Sequence, residues 1–285
     1  MTLRFLGAGS AFSRKYGTTC SVLTLADGKR WLVDCGRQAP DQLEAAGLNW
    51  HGIEGQIITH HHGDHSYGLE DFAFMRYYES RDGVAAVRRG GPRPKMMVHS
   101  AVEAELSAFL DPSIRFISRA DGTAVDGVLD DFFEVIRAGA HEPPRDNPWR
   151  HAESFATAGL RVVARESEHV RGKPSCSLEL SLTPDPNDER IAWWSGDSTV
   201  DVDRMLAIAD RTTVFFHDCT FADYPGQVHG AFSLLRQLPD HLRAKLVLMH
   251  HDDDIEDHRA EVEAAGFRLA FPGQLYDLER GQRIA

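Results

Sequence analysis

The segment GQIITH (55–60) runs directly into HHGDHSYG (61–68). An apolar, β-branched run that ends in four imidazoles and a carboxylate reads as a buried strand surfacing at a polar site. Successive side chains on an extended segment point to opposite sides. His60 and His62 therefore face one way and His61 the other. Gly63 permits a tight turn, and Asp64 and His65 follow at the mouth of a helix. The register is H-x-H-x-D-H. Imidazole nitrogens beside a hard carboxylate oxygen suit borderline divalent metals, with room for a second ion beside the first.

Such a segment needs partners from elsewhere, and three further strand ends offer them. His169 follows the β-like run GLRVVARE (159–166). Asp197 closes RIAWWSG (190–196), where a carboxylate between two ions could bridge them. His250 ends KLVLMH (245–250), with His251 as the competing choice pointing the other way. Thr59, Ser195 and Asp34 are plausible supports for the ligands, which the sequence does not rank.

The remaining elements alternate. LRFLG (3–7), CSVLTLA (20–26) and RWLVDCG (30–36) read as strands, the last two joined by an Asp27-Gly28 hairpin turn. DQLEAAG (41–47) and residues 66–79 read as helices. The Gly/Pro-rich, basic stretch 80–95 reads as a loop carrying Arg81, Arg88, Arg89, Arg93 and Lys95; it either overhangs the site or is a solvated connection. KMMVHS (95–100) is a strand, and Ser100 with Glu103 forms a capping box opening a helix over 101–110. FFEVIRAG (132–139) is β-rich, and HEPPRDNPWRH (141–151) is a second loop insertion. SCSLELSL (175–182) and RIAWWSG form a hairpin. TVFFHDC (213–219) and KLVLMHH (245–251) are buried strands, with helices near 230–238 and over 256–265. Trp193 and Trp194 read as core, and Asp252, Asp253 and Asp254 as a solvated turn. GAGSAF near the start lacks the third glycine of a dinucleotide fingerprint. The expectation is one α/β domain over 1–285 with insertions near 80–95 and 141–151.

The formal net charge of -12 argues against a protein that grips many phosphates of a nucleic acid. It leaves open a small anionic substrate held by metal ions. The start has no long apolar segment, and no run of about 18 apolar residues occurs, so neither a leader nor a membrane span is expected. Cys20, Cys35, Cys176 and Cys219 show no CxxC pairing and read as buried, reduced thiols of a cytoplasmic protein, with Cys35 or Cys219 as the minor alternative ligands.

The ordered set His60-x-His62-x-Asp64-His65, His169, SGD ending at Asp197, and His250 resembles the signatures of the metallo-β-lactamase fold. LGAGSAF and LVDCG before the histidines are also similar to that superfamily, and the resemblance spans residues 3 to 272. It implies an αββα four-layer sandwich. WSGDS and HDCTF (217–221) look most like the RNase Z-like and cyclic-nucleotide phosphodiesterase branch. The stretch from FFHDCTF to LMHH is similar to anti-Pycsar-type phosphodiesterases, which cleave cyclic mononucleotides. Two departures stand out. The arm that tRNA-processing members use to hold tRNA has no counterpart after His169, and His217-Asp218 replaces the more usual His-Glu.

The resemblance implies two divalent ions, zinc first, with manganese, iron or nickel as alternatives. His60, His62 and His169 would hold one ion; Asp64, His65 and His250 the other; Asp197 would bridge them. The catalytic set it implies is Asp64, His229 and Asp218, with His229 as proton donor to the leaving oxygen, Asp218 orienting it, and a metal-bridged hydroxide as the nucleophile. The implied activity is hydrolysis of a small nucleotide phosphodiester such as a cyclic mononucleotide. An RNase Z-like tRNA 3′-endonuclease is the alternative, and a lactonase- or thioesterase-type hydrolase a further one. Implied partners are a small anionic nucleotide and a second copy in a homodimer, with no membrane and no large nucleic acid.

Overall fold

The segment IAWW (191–194) shows how the layers arise. Ala192 and Trp194 join one apolar core, while Ile191 and Trp193 join a second core on the opposite face. A strand with period-two side chains that is apolar on both faces must be covered on both sides. The computed structural model describes residues 1–138, 151–185 and 187–285, and it covers such strands throughout.

In chain order the strands begin with β1 (Thr2–Gly7), β2 (Cys20–Thr24), β3 (Arg30–Val33), β4 (Gly55–Ile58) and β5 (Lys95–Val98). A small pair follows, β6 (Phe116–Ser118) and β7 (Ala124–Asp126), and then β8 (Glu134–Ile136). The second half supplies β9 (Ala152–Thr157), β10 (Leu160–Glu166), β11 (Cys176–Ser181), β12 (Ile191–Trp194), β13 (Thr212–Asp218) and β14 (Leu246–Met249). It ends with β15 (Arg268–Leu269), β16 (Leu275–Asp277) and β17 (Gln282–Arg283). Among the described residues one sheet has the order β17-β16-β1-β2-β3-β4-β5-β8 and the other β15-β14-β13-β12-β11-β10-β9. The first sheet is antiparallel from β17 through β1 to β3 and parallel from β3 to β8; the second is antiparallel from β9 to β12 and parallel from β12 to β15.

Parallel neighbours need crossovers, and the helices supply most of them on the outer faces. They are α1 (Ala39–Ala45), α2 (Gly63–Ser66), α3 (Leu69–Tyr78), α4 (Ser100–Ile114), α5 (Leu129–Phe132), α6 (Val202–Ile208), α7 (Phe232–Leu235), α8 (Asp240–Arg243) and α9 (Ile255–Ala264). Leu43, Phe72 and Leu106 pack α1, α3 and α4 onto the first sheet. Met205, Leu235, Leu242 and Val262 pack α6 to α9 onto the second. The four-layer αββα order expected from the sequence is present. Between the sheets, Phe5 stacks on Trp194 at 5.7 Å and meets Phe216 edge-on at 5.5 Å. Each such buried ring contributes about 1.5–3 kcal/mol. No described helix is long and apolar enough to cross a membrane.

Several local expectations are corrected. The helix expected over 66–79 is broken between α2 and α3 at Tyr67-Gly68, because Gly68 passes against the backbone after β3; a Cβ there would lie 2.5 Å from the Gly36 carbonyl. The Ser100/Glu103 capping box does not form. His99 caps α4 by accepting from the Ala101 amide, Ser100 donates both N–H and hydroxyl to Glu153, and Glu103 pairs with Arg137 at 2.9 Å. The 80–95 loop joins α3 to the start of β5, at the opposite end of the strands from the histidines, where Lys95 pairs with Glu54 and Arg93 donates to the Asp130 carbonyl. It does not overhang the site of its own chain. Among the described residues of FFEVIRAG only Glu134–Ile136 is strand, and residues 141–150 of the second insertion lie outside the described residues. Asp252 and Asp253 are not merely solvated. They accept from Ser10, Ser13 and the amides of Arg14 and Lys15, and so tether the β1–β2 loop.

One buried charge cluster ties β10, β11 and α6 together. Glu179 on β11 accepts from Arg204 and from Arg211 at 2.7 Å, with Arg165 at 3.4 Å. Burial alone would raise its pKa, but the three guanidiniums hold it below the ordinary glutamate value of 4.5. Its stabilisation is therefore complete at neutral pH and fades as pH falls below 4.5, where the unfolded carboxyl takes up its proton first. Glu179→Gln strands the arginines and should cost about 3–5 kcal/mol in denaturant unfolding at pH 7. A loss under 1 kcal/mol would show that the cluster is not a structural tie.

Candidate metal centre

Three of the candidate ligands stand where parallel strands end, and the others follow an antiparallel strand or sit on and just before α2. His60 lies two residues beyond β4, Asp197 three beyond β12, and His250 directly after β14; His169 follows β10. Sharp turns at these ends come from left-handed backbone. Asp34 after β3 has φ 62°, His250 has φ 55°, and Gly196 before Asp197 has φ 60°. For non-glycine residues this costs about 1–3 kcal/mol and persists only where the surroundings enforce it. Gly36 brings the chain after Asp34 against the α2 turn. A Cβ at Gly36 would lie 1.9 Å from the Asp64 carbonyl, and the Cys35 amide donates to His65 O at 2.7 Å.

Two groups of donor atoms result. His60 Nε2 and His169 Nε2 stand 3.0 and 3.3 Å from His62 Nδ1. Asp64 Oδ2 stands 3.2 Å from His65 Nε2 and 3.1 Å from His250 Nε2. Asp197 belongs to both groups, at 3.7 Å from His60, 3.2 Å from His65 and 3.4 Å from His250. All seven side chains expected from the sequence converge. His61 turns away to Ser66 at 2.8 Å and packs on Phe109, and His251 turns away to the Ala270 carbonyl at 2.8 Å. The four cysteines are buried free thiols, and none belongs to a ligand group among the described residues.

Hydrogen bonds on the far side of three of the rings orient them. Asp34, fully buried, accepts from the Thr59 hydroxyl and from His65 Nδ1 at 2.9 Å. Thr59 in turn accepts from His60 Nδ1 at 3.1 Å, and the Val228 carbonyl accepts from His169 Nδ1 at 3.1 Å. The Nε2 atoms of His60, His65 and His169 are thereby aimed inward. Ser195, grouped with Thr59 and Asp34 in the sequence reading, instead accepts from the Asp218 amide at 2.9 Å. The Val228 carbonyl was invisible in sequence, since a backbone contact between distant segments leaves no residue signature.

This donor set fits divalent cations. Burial pushes His62 down to about 4, aided by His169, and burial also lowers His60 and His169, so three uncharged rings face one another at neutral pH. Tetrahedral nitrogen ligands about 2.0–2.1 Å from zinc stand roughly 3.3 Å apart, close to these spacings. In the second group burial opposes charge, yet Asp197 and Asp64 hold His250 up at about 9 and His65 well above its ordinary value. His65 Nε2 and Asp197 Oδ1 are buried 3.2 Å apart, and neither makes a hydrogen bond. Orphaned buried polar atoms of this kind are costly without a partner.

Beside the ligands, His229 Nδ1 contacts Asp218 Oδ2 at 2.9 Å. Asp218 also accepts from the Ser198 and Gly230 amides and pairs with His217 at 2.9 Å. Burial would raise its pKa, but His217 and His229 hold it down, so it is a carboxylate. The His229 ring lies 5.1 Å from His169 and 5.2 Å from His250. A further group, His99, His151 and Glu166, is assembled from distant segments and has no local sequence signature. There the Ala101 amide donates to His99 Nδ1, so His99 Nε2–H donates to His151 at 2.9 Å, a satisfied pair that leaves no lone pair aimed at an ion.

Asp34→Asn keeps every candidate ligand but removes the charge that aims His60 and His65. Metal affinity measured by chelator competition should fall about 10–100-fold with the circular dichroism spectrum unchanged. An unchanged affinity would refute the positioning role.

Comparison with known proteins agrees with this geometry. Residues 1–276 match the family model described as anti-Pycsar protein Apyc1. An anti-Pycsar protein Apyc1 of Paenibacillus xerothermodurans is 30% identical over 263 residues, covering 90% of each chain. One from Bacillus phage BSP38 is 26% identical over 281 residues, covering 97% of this chain and 98% of the relative. Among solved structures, human tRNase Z, short form, superposes with TM-score 0.65 at 19% identity over 98% of this chain and 99% of its own. A diphosphatase from the PhnP family gives TM-score 0.67 at 17% identity over 97% of both chains. Fold and sequence thus converge on one assignment: the chain has the metallo-β-lactamase fold and belongs to the anti-Pycsar Apyc1 family.

Proposed function

We propose that this protein is a dinuclear metal-dependent hydrolase of small nucleotide phosphodiesters, with a 3′,5′-cyclic mononucleotide as the substrate class. The observation that carries the proposal is Asp197, whose two oxygens meet His60, His65 and His250 and so join both ligand groups. His60, His62 and His169 would hold one ion, Asp64, His65 and His250 the other. Bound there, divalent ions would supply Lewis acidity that activates a water and neutralises phosphoryl charge.

The chain's own part in the chemistry is proton handling. Water's oxygen bonds to phosphorus as the ester P–O bond breaks, and the departing alkoxide needs a proton. Asp218 holds a proton on His229 Nδ1 and orients the ring, leaving Nε2 to give its proton to the leaving oxygen and recover one from the attacking water. Membership of the anti-Pycsar family supports a cyclic mononucleotide. Against the tRNA reading stand the net charge of -12 and the chain after His169, which enters β11 at Cys176 with no room for a tRNA-gripping arm.

His229→Ala separates proton donation from the rest. It should lower kcat on a 3′,5′-cyclic nucleotide about 10²–10⁴-fold. On bis(p-nitrophenyl) phosphate the loss should be far smaller, because p-nitrophenolate leaves without protonation. Equal losses on both substrates would refute the donor role. A substrate panel of cyclic nucleotides, a pre-tRNA, nitrocefin and a lactone tests the class: turnover of the lactone or the pre-tRNA with inert cyclic nucleotides would overturn it.

A further inference from the structure

Beyond the ligands, His229 forms part of the wall of a surface cavity of about 470 Å³, lined also by Thr199, Tyr224, Gln227, Leu234 and Gln237. The cavity lies in the loop between β13 and α7, and its rim presents two apolar side chains to solvent, Tyr224 at 54% exposure and Leu234 at 48%. The loop is cross-linked by its own hydrogen bonds. Gln227 accepts from the Val228 and His229 amides at 2.8 and 3.1 Å and donates to the Ala222 carbonyl at 2.8 Å, and the Gln227 amide donates to the Tyr224 carbonyl. Gln227 is thus consumed in shaping the wall, and the Tyr224 ring is left as the exposed aromatic face.

No lysine or arginine lines the cavity, and Asp223 does. It is therefore unsuited to a phosphate or to a polyanionic RNA strand. The anionic end of a substrate belongs on the ligand groups, and a cavity that begins at His229 receives what projects from the phosphate. That portion must be uncharged, flat enough to lie on a tyrosine ring, and able to use hydroxyl and amide groups such as Thr199, Ser233 and Gln237. We propose that this cavity is the nucleoside subsite, in which the base of a mononucleotide stacks on Tyr224. The proposal rests on the function argued above and adds where substrate specificity is set.

The test uses the metal-loaded protein with two phosphodiesters, a 3′,5′-cyclic nucleotide and methyl p-nitrophenyl phosphate, which carries no nucleoside. Stacking of a base on an aromatic side chain is strong enough that Tyr224→Ala should raise the KM of the cyclic nucleotide about tenfold or more. Its kcat should stay within about threefold, and methyl p-nitrophenyl phosphate should be unaffected. Tyr224→Phe, which keeps the ring, should restore the KM. An unchanged KM in Tyr224→Ala would overturn the subsite while leaving the proposed function standing. Failure of the wild-type protein to cleave any cyclic nucleotide would sink both. A change in sedimentation coefficient on Tyr224→Ala would reassign the cavity rim to an interface between copies, against the proposal.

Discussion

The Asp34 carboxylate is the constraint on which the site is built. It is fully buried on a left-handed residue, and it accepts from the Thr59 amide and hydroxyl and from His65. Through Thr59 it reaches His60 as well. One carboxylate thereby aims a ring in each ligand group, although it belongs to neither. A buried charge is tolerated only when it is fully hydrogen-bonded, and Asp34 meets that condition by using the very groups it must orient. The backbone cost at Asp34 and His250 is the other side of the same arrangement. Strand ends that simply ran on would carry these side chains past one another.

The sheets explain why seven residues so far apart in sequence can meet. Each sheet combines antiparallel strands with a parallel run, β3 to β8 in one and β12 to β15 in the other, and the carboxyl ends of parallel strands gather at one edge of the sandwich. β4, β12 and β14 deliver His60, Asp197 and His250 there, and β13 delivers Asp218. The layers behind are apolar and tightly covered, as the alternation of Trp193 and Trp194 between two cores shows. Ligands mounted on such ends inherit the rigidity of the core, which is what pre-organised metal sites need.

Much of this was legible in the residues. Strand ends that turn abruptly polar, with the turn after His62, pointed to the candidate ligands that converge, and alternation separated His61 from His60 and His62. The choice of His250 over His251 was also legible, although its cause is a left-handed turn rather than continued strand alternation. What sequence did not yield depends on contacts between distant segments. Ser100 carries a helix-start signature, but Glu153 from the other sheet takes its donors. The helix over 66–79 looked continuous until Gly68 had to pass Gly36. Arginines 81 to 93 looked available for phosphate, but their position at the far end of β4 and β5 is a property of topology alone. Asp252 and Asp253 looked like a solvated turn, and only the folded β1–β2 loop gives them partners.

The central claim is that one carboxylate, Asp197, joins two cations into a single centre. Metal content per chain, measured on wild-type protein and on Asp197→Ala after equilibration with zinc and removal of excess ion, tests it most directly. The account predicts two ions per wild-type chain and loss of at least one of them, with phosphodiesterase activity, in the variant. Two retained ions and full activity in Asp197→Ala would contradict it.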